Sequence, residues 1–338
     1  MLVLTRPEVE ELLDVDALFG ALADAHAELS AGAVSMPARI AAWADEAGLL
    51  GAMPAYLPSP RTRNASGLRP GVGGSAGDAP SPVLGCKLVT LFPGNTDRPT
   101  HQAAIMLFDP ATGTPTVLMD GTYVTETRTA VAAALAARLL ARDDAKVLAI
   151  VGTGVQARSH ARAFAEIRDW DEVRIAGRDP EKAQALAAEV GADAASSVEE
   201  AVRGADVVAA TTHAREPVVL REWLAPGAHV SSVGSPPAGS ELDPAIVRDA
   251  TLFVETRAAL LPPPAGAAEL QGLGDADVHA ELGELVSGGR TGRTSPAEIT
   301  LYKSVGVAVQ DLAAAALVLA AAEERGLGLE IELEEIHQ

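Results

Sequence analysis

The sequence predicts an α/β fold: a doubly wound parallel sheet with helices on both faces, preceded by a separate β-rich region. Three observations carry this. Short apolar runs near 146–151, 172–176, 206–210, 228–233 and 251–254 alternate with helical segments, the arrangement that builds a parallel sheet. The first run leads directly into Gly152-Thr153-Gly154-Val155-Gln156-Ala157 at the start of a helix. The chain has 338 residues, enough for two cored domains, and 48% are apolar, which places it among globular proteins.

Thr5 is placed to cap a first helix, with Pro7 and Glu8 in its first turn. Val15, Leu18, Phe19, Leu22, His26 and Leu29 mark one face of a second helix ending near Gly32, with His26 as a satisfied core or edge histidine rather than a catalytic one. Strands are expected over 84–92, 103–108 and 116–120, the last two joined by the turn Asp109-Pro110-Ala111-Thr112-Gly113. The stretch 58–82 is rich in Pro, Gly, Ser and Arg and lacks apolar periodicity. It reads as a mobile surface loop, with Arg61, Arg63 and Arg69 as solvated charges. An alanine-rich helix is expected over 125–142 and a final helix over 304–325, whose apolar face is Val305, Val309, Leu312, Ala316 and Leu319. Aromatic residues make up only 3%, so the helices must pack on small side chains.

The formal net charge of −20 argues against nucleic acid and against anionic membrane surfaces as partners. It does not exclude an anionic small molecule, because a few Arg and Lys can dominate a pocket. Cys86 is the single cysteine, so neither an internal disulfide nor a cysteine zinc site can form. The seven histidines show no ligand spacing, and no metal is expected. Of these, His101 and His213 are the two that could lie near a pocket. The amino terminus does not read as a signal peptide, and the longest apolar run, 312–322, is too short to span a bilayer. A cytoplasmic protein is expected.

The glycine turn is the strongest local signal. Gly152 permits the tight turn, Gly154 lets the backbone approach a pyrophosphate, and Ala157 is small where the helix meets the sheet. The N–H groups of Val155 and Gln156 open the helix and face such an anion. The second strand ends Ala176-Gly177-Arg178-Asp179. A carboxylate at the tip would bind a ribose 2′-hydroxyl; here the tip is Gly177, and Arg178 can bind a 2′-phosphate. NADP(H) is therefore the favoured cofactor, with NAD(H) left open through Asp179.

Ahead of this domain stand basic residues in apolar or glycine-rich settings: Arg39 in Met36-Pro37-Ala38-Arg39-Ile40, Lys87 in Leu84-Gly85-Cys86-Lys87-Leu88-Val89, and Arg128 in Thr125-Glu126-Thr127-Arg128-Thr129-Ala130. On a strand Lys87 shares a face with Gly85, Val89 and Leu91, so it stands either at a sheet edge or in a pocket. These residues, with Met53-Pro54, Thr112-Gly113, Asp206-Val207-Val208 through Thr211, Val233-Gly234, Glu241-Leu242-Asp243 and Ser304-Val305-Gly306 through Asp311, carry a resemblance to the ornithine cyclodeaminase/mu-crystallin family that runs nearly end to end.

The resemblance implies a homodimer in which a Rossmann-type dinucleotide-binding domain, 125–303, is inserted into an α+β substrate-binding and dimerisation domain, 1–124 and 304–338. It implies a small substrate with an α-carboxylate beside an amine or imine. Arg39 and Arg128 would grip the carboxylate, and Lys87 would approach the carboxylate or the nitrogen as the catalytic group. Thr129, Thr211 and Ser304 fall at positions that approach the cofactor.

Two departures narrow the reaction. Ornithine cyclodeaminases carry an Asp shortly after the glycine that is Gly234 here; this chain reads Ser235-Pro236-Pro237-Ala238-Gly239, with no carboxylate. They also carry a Glu where Gly51 stands. The acidic partners of a basic diamine are absent, as that Asp is in the mu-crystallin-type ketimine reductases. The expectation is an NAD(P)H-dependent oxidoreductase reducing a small or cyclic imino acid, with Lys87 as proton donor and water or Ser235 behind it. Ornithine cyclodeaminase, an alanine-type amino-acid dehydrogenase, and a non-catalytic small-molecule-binding crystallin-like protein remain open.

Overall fold

In the computed structural model, residues 1–58, 81–234 and 239–333 are described. The arginines of the expected loop (Arg61, Arg63, Arg69) and Ser235 lie outside the described residues. The chain divides into two compact units: Met1–Arg128 with Val307–Gln338, and Thr129–Gly306.

The first unit begins with β1 (Leu2–Leu4), α1 (Arg6–Leu12), α2 (Val15–Ser30), β2 (Ile40–Ala44), β3 (Gly48–Leu57), β4 (Val83–Leu91), β5 (His101–Phe108) and β6 (Pro115–Asp120). The Glu8 carboxylate accepts from the Thr5 amide and hydroxyl, and Asp14 caps α2 by accepting from Asp16 and Ala17. The Asp109 turn forms as expected, its carboxylate accepting from the amides of Ala111 and Thr112. The following helix, α3 (Thr122–Leu140), starts three residues earlier than expected, because Asp120 Oδ2 accepts from the Tyr123 amide at 2.8 Å. The division between the units falls within it, after Arg128.

The second unit runs through β7 (Val147–Val151), α4 (Val155–Ala165), β8 (Glu172–Ala176), α5 (Pro180–Val190), β9 (Asp193–Ala194), α6 (Val198–Val202), β10 (Val207–Ala210), β11 (His229–Ser232), α7 (Pro244–Asp249), β12 (Thr251–Val254), β13 (Val278–Glu281), α8 (Leu282–Val286) and β14 (Thr300–Lys303). Its sheet is parallel throughout, in the order β13-β12-β14-β11-β10-β7-β8-β9. Chain order reverses between β7 and β10, the Rossmann-type switch point outside which ligands bind in such sheets. β10 (Val207-Val208-Ala209-Ala210) and β11 (His229-Val230-Ser231-Ser232) are buried along their whole length, as strands covered on both faces are.

The chain then re-enters the first unit with α9 (Ala308–Arg325) and β15 (Leu329–Glu330). The first sheet has the order β15-β1-β6-β5-β4-β3-β2 and is antiparallel except for β1 against β6. α9 packs against α1, α2, β3 and β4. Val309, Leu312 and Val318 are buried there, at about 1.5–3 kcal/mol for each large side chain. Gly85 is required beneath them: a Cβ on it would stand 2.7 Å from Leu312 Cδ2.

Two expectations about the final helix are corrected. It starts at Ala308 rather than 304, because 300–303 form β14 inside the parallel sheet. Val305 therefore lies outside the helix and packs on the core of the second unit, while Ala316 and Leu319 are half-buried.

Candidate active site

The glycine turn closes β7 as its sequence requires. Gly152 has φ +129°, and a Cβ on it would lie 2.5 Å from Thr211 Oγ1, so any other residue is both strained and blocked. Its amide donates to Ala176 O at 2.8 Å, tying the turn to the tip of β8. Gly154 is the N-cap of α4 and offers no capping side chain; Gly154 and Val155 are exposed, and the space above Gly154 is open. Uncapped helix amides beneath an open surface fit a dinucleotide pyrophosphate.

Arg178 is exposed just beyond β8. The Asp179 carboxylate beside it caps α5, accepting from the amides of Glu181 at 3.1 Å and Lys182 at 3.3 Å. That engagement disfavours the reading in which Asp179 binds a ribose.

The neighbouring strand ends are held by buried polar groups, among which sequence reasoning assigned Thr129, Thr211 and Ser304 but not Glu241, Glu255 or Lys303. Thr211 donates its hydroxyl to Val151 O at 2.9 Å, so it braces the turn. Glu241 accepts from the Thr212 amide and hydroxyl, Ser232 Oγ and the Gly234 amide, each at 2.8 Å. Ser304 donates to Glu255 Oε1 at 2.9 Å, and the Val305 and Gly306 amides donate to Oε2 of the same residue. Lys303 is fully buried, pairs with Glu269 at 2.7 Å and donates to Ser232 and the Gly234 carbonyl. Thr129 is buried on α3. His160 and His229 are buried and neutral: burial lowers them to about 4 and about 3, and each bonds within the unit.

In the first unit the structure brings Lys87 and Arg128 together around a residue the sequence reading missed. β4 lies between β3 and β5, so Lys87 is not at a sheet edge; it is 1% exposed. Its Nζ stands 2.8 Å from the carboxylate of Asp311 on α9, with Thr125 Oγ1 at 3.4 Å. Arg128 Nε donates to Asp311 Oδ1 at 3.0 Å, and its NH1 donates to Gln310 Oε1 at 2.6 Å. Gln310 Nε2 in turn donates to Nε2 of His26, which is buried as expected.

The sequence reading set three cations together with no acid among them; Asp311 corrects that. The signal was available, since Gln310 and Asp311 interrupt an apolar, alanine-rich helix where an unpartnered carboxylate is prohibitive. Arg39 is half-buried ahead of β2, and its Cδ would lie 3.7 Å from a Cβ placed on Gly51. Burial pushes the Lys87 ammonium down to about 7; Arg128 and Arg39 act the same way, and Asp311 opposes them. Lys87 and Arg128 therefore share the single carboxylate of Asp311.

His101 and His213 are exposed. Among the described residues, no group of His, Cys, Asp and Glu is arranged to hold a metal, and no helix is long and apolar enough to cross a membrane.

A model of the ornithine cyclodeaminase/mu-crystallin family matches residues 75–326. Ketimine reductase mu-crystallin of Mus musculus is 42% identical over 293 residues, covering 85% of each chain. The structure of Thermococcus litoralis Δ1-pyrroline-2-carboxylate reductase in complex with NADH and L-proline matches with a TM-score of 0.86 at 32% identity, over 98% of this chain and 100% of that one. An archaeal alanine dehydrogenase dimer with bound NAD gives a TM-score of 0.86 at 32% identity, over 99% of both chains.

Proposed function

The chain belongs to the ornithine cyclodeaminase/mu-crystallin family, and from that premise we propose that it is an NAD(P)H-dependent reductase of a small or cyclic imino acid, acting on a C=N bond beside a carboxylate. The observation that carries the reading is the buried cluster in which Lys87 and Arg128 share the one carboxylate of Asp311, with Arg39 close enough to act on Lys87. Such a cluster suits a ligand that brings its own carboxylate.

Arg128 and Arg39 bind the substrate carboxylate and fix its orientation. Lys87 donates a hydrogen bond or proton to the imine nitrogen, keeping the adjoining carbon electrophilic. When bound, the nicotinamide supplies the hydride that this carbon accepts. Gly152, Thr153, Gly154, Val155 and Gln156 hold the pyrophosphate, and Thr129, Thr211 and Ser304 complete the cofactor surface, Thr211 and Ser304 chiefly by bracing it.

The finer choice of NADP(H) rests on this chain's own Arg178 and on the engagement of Asp179 in its helix cap; the two solved relatives carry NADH and NAD. A homodimer fits the face of the first sheet opposite Lys87, where Ile40, Leu50 and Leu88 are 68%, 44% and 43% exposed. Sedimentation that finds a monomer at micromolar concentration would refute it. The lone thiol of Cys86 suits a cytoplasmic setting.

The deciding experiment offers the purified protein cyclic imino acids, pyruvate with ammonia or methylamine, and ornithine, each with NADPH and NADH, followed at the nicotinamide absorbance. Rapid turnover of a cyclic imino acid, faster with NADPH, is expected. Conversion of ornithine to proline and ammonia with catalytic NAD, with cyclic imino acids untouched, would overturn the reading.

A further inference from the structure

Asp311 touches two of the three side chains assigned to the substrate. Its Oδ1 accepts from Arg128 Nε at 3.0 Å, and Lys87 Nζ approaches the same carboxylate at 2.8 Å. Gln310, its neighbour on α9, holds Arg128 NH1 at 2.6 Å and is itself anchored to His26 at 2.9 Å. The Arg128 guanidinium is thus gripped at Nε and at one NH1 hydrogen. What remains is the second NH1 hydrogen and both NH2 hydrogens, the one edge that can still offer two parallel donors to a carboxylate.

We propose that Asp311 is the positioning residue of the site: it presents the NH1–NH2 edge of Arg128 to the substrate carboxylate and keeps Lys87 charged for the imine nitrogen. This deepens the proposed imino-acid reduction and rests on it. Asp311 acts through these two side chains and need not meet the substrate.

The groups facing Lys87 are Asp311 from α9, Arg128 and Thr125 from α3, and Arg39 from the segment before β2. On the flanking strands its partners are Met53 and Ile105, neither of which titrates. Asp311 is the carboxylate that contacts both Lys87 and Arg128. Arg128 cannot yield its proton. When the carboxylate is neutralised, Lys87 is the group that discharges, and the burial already pressing it down to about 7 takes it lower.

The test reads binding and turnover separately. Pyrrole-2-carboxylate, a planar ring carboxylate that accepts no hydride, is titrated calorimetrically into the unmodified protein, Asp311→Asn and Asp311→Glu. Titrations and kcat/KM on a cyclic imino acid run from about pH 5 to about pH 9, spanning the Lys87 transition. In the unmodified protein, affinity falls as rising pH discharges Lys87. Asp311→Asn moves that fall to lower pH by about 1–3 units and weakens binding at neutral pH roughly tenfold or more. Asp311→Glu keeps the charge and the pH profile, but its extra methylene turns Arg128 aside and raises Kd and KM roughly tenfold with kcat little changed.

A merely structural residue would weaken binding in Asp311→Asn equally at every pH; that result overturns the proposal. Should the Asn variant fail to fold, unchanged Kd and KM in Asp311→Glu overturn it instead. If the calorimetric profiles behave as expected while no imino acid is reduced, the proposed reaction falls and the positioning role stands.

Discussion

Glu241 and Glu255 in one unit and Asp311 in the other are buried carboxylates, and they are neutralised differently. In the parallel sheet, Glu241 and Glu255 accept from backbone amides and hydroxyls around the strand ends. Those donors carry no net charge and cannot titrate, so the carboxylates fasten loops. In the mixed sheet, Asp311 accepts from a lysine and an arginine, with a second arginine nearby. One negative charge is shared by two positive ones, which leaves the pair able to meet an anionic ligand. The contrast separates a buried acid that builds a fold from one that builds a site: the first is saturated by dipoles, the second is outnumbered by charges.

Removing a guanidinium tests this contrast most severely. Arg128→Ala should lower kcat/KM on the imino acid by roughly a hundredfold, about 2.7 kcal/mol of transition-state stabilisation, while NADPH binding measured by fluorescence stays nearly intact. A loss of both together would show that the mixed sheet's charges serve the fold, as those of the other sheet do. The parallel unit, by contrast, is proposed to meet its charged ligand at the rim. Arg178→Ala should weaken NADPH by about 1.5–3 kcal/mol, as loss of one charge-assisted contact does, and leave NADH nearly unaffected. Equal affinity of the unmodified protein for the two cofactors would remove Arg178 from the account.

The smallest expected effect concerns a neutral histidine buried in the parallel unit. His229 titrates near 6.5 when unfolded and about 3 when folded. Below pH 6.5 the unfolded chain takes up a proton that the folded chain refuses, so stability falls as pH drops. Between pH 6.5 and about pH 5 this amounts to about 2 kcal/mol. His229→Gln should therefore show a shallower decline in Tm on acidification. An identical decline in both proteins would mean that His229 is not the buried neutral group described here.

The parallel unit was the more legible part of the sequence. Its strands are apolar runs bounded by turns, and the Gly152 turn announces its position because only glycine tolerates φ +129° beneath Thr211. β14 escaped notice because Thr300-Leu301-Tyr302-Lys303 is short and ends on a lysine, whose buried partner Glu269 lies far away in the chain. β3 escaped because Pro54 interrupts it. That proline is tolerated because β2 pairs only as far as Ala52, and the proline nitrogen faces the side that β2 has already left. Lys87, Arg39 and Arg128 were picked out by their setting and by resemblance. The role of Asp311 is not legible in the same way, because pairing across 224 residues leaves no periodicity to read.

The position of α9 at the far end of the chain bears on the order in which the protein can be made. Lys87 and Arg128 leave the ribosome long before Asp311 does, as does every other strand of the parallel sheet before β14, which enters its middle. Until α9 arrives, two cations face the interior of the first sheet without their carboxylate. Burying them uncompensated costs several kcal/mol per ion, so that core has to stay hydrated. Neither unit can therefore close before β14 and α9 have been made, and both become complete with that stretch of chain. A ribosome stalled shortly after Gly292 would hold a nascent chain with two open cores, accessible to protease along most of its length.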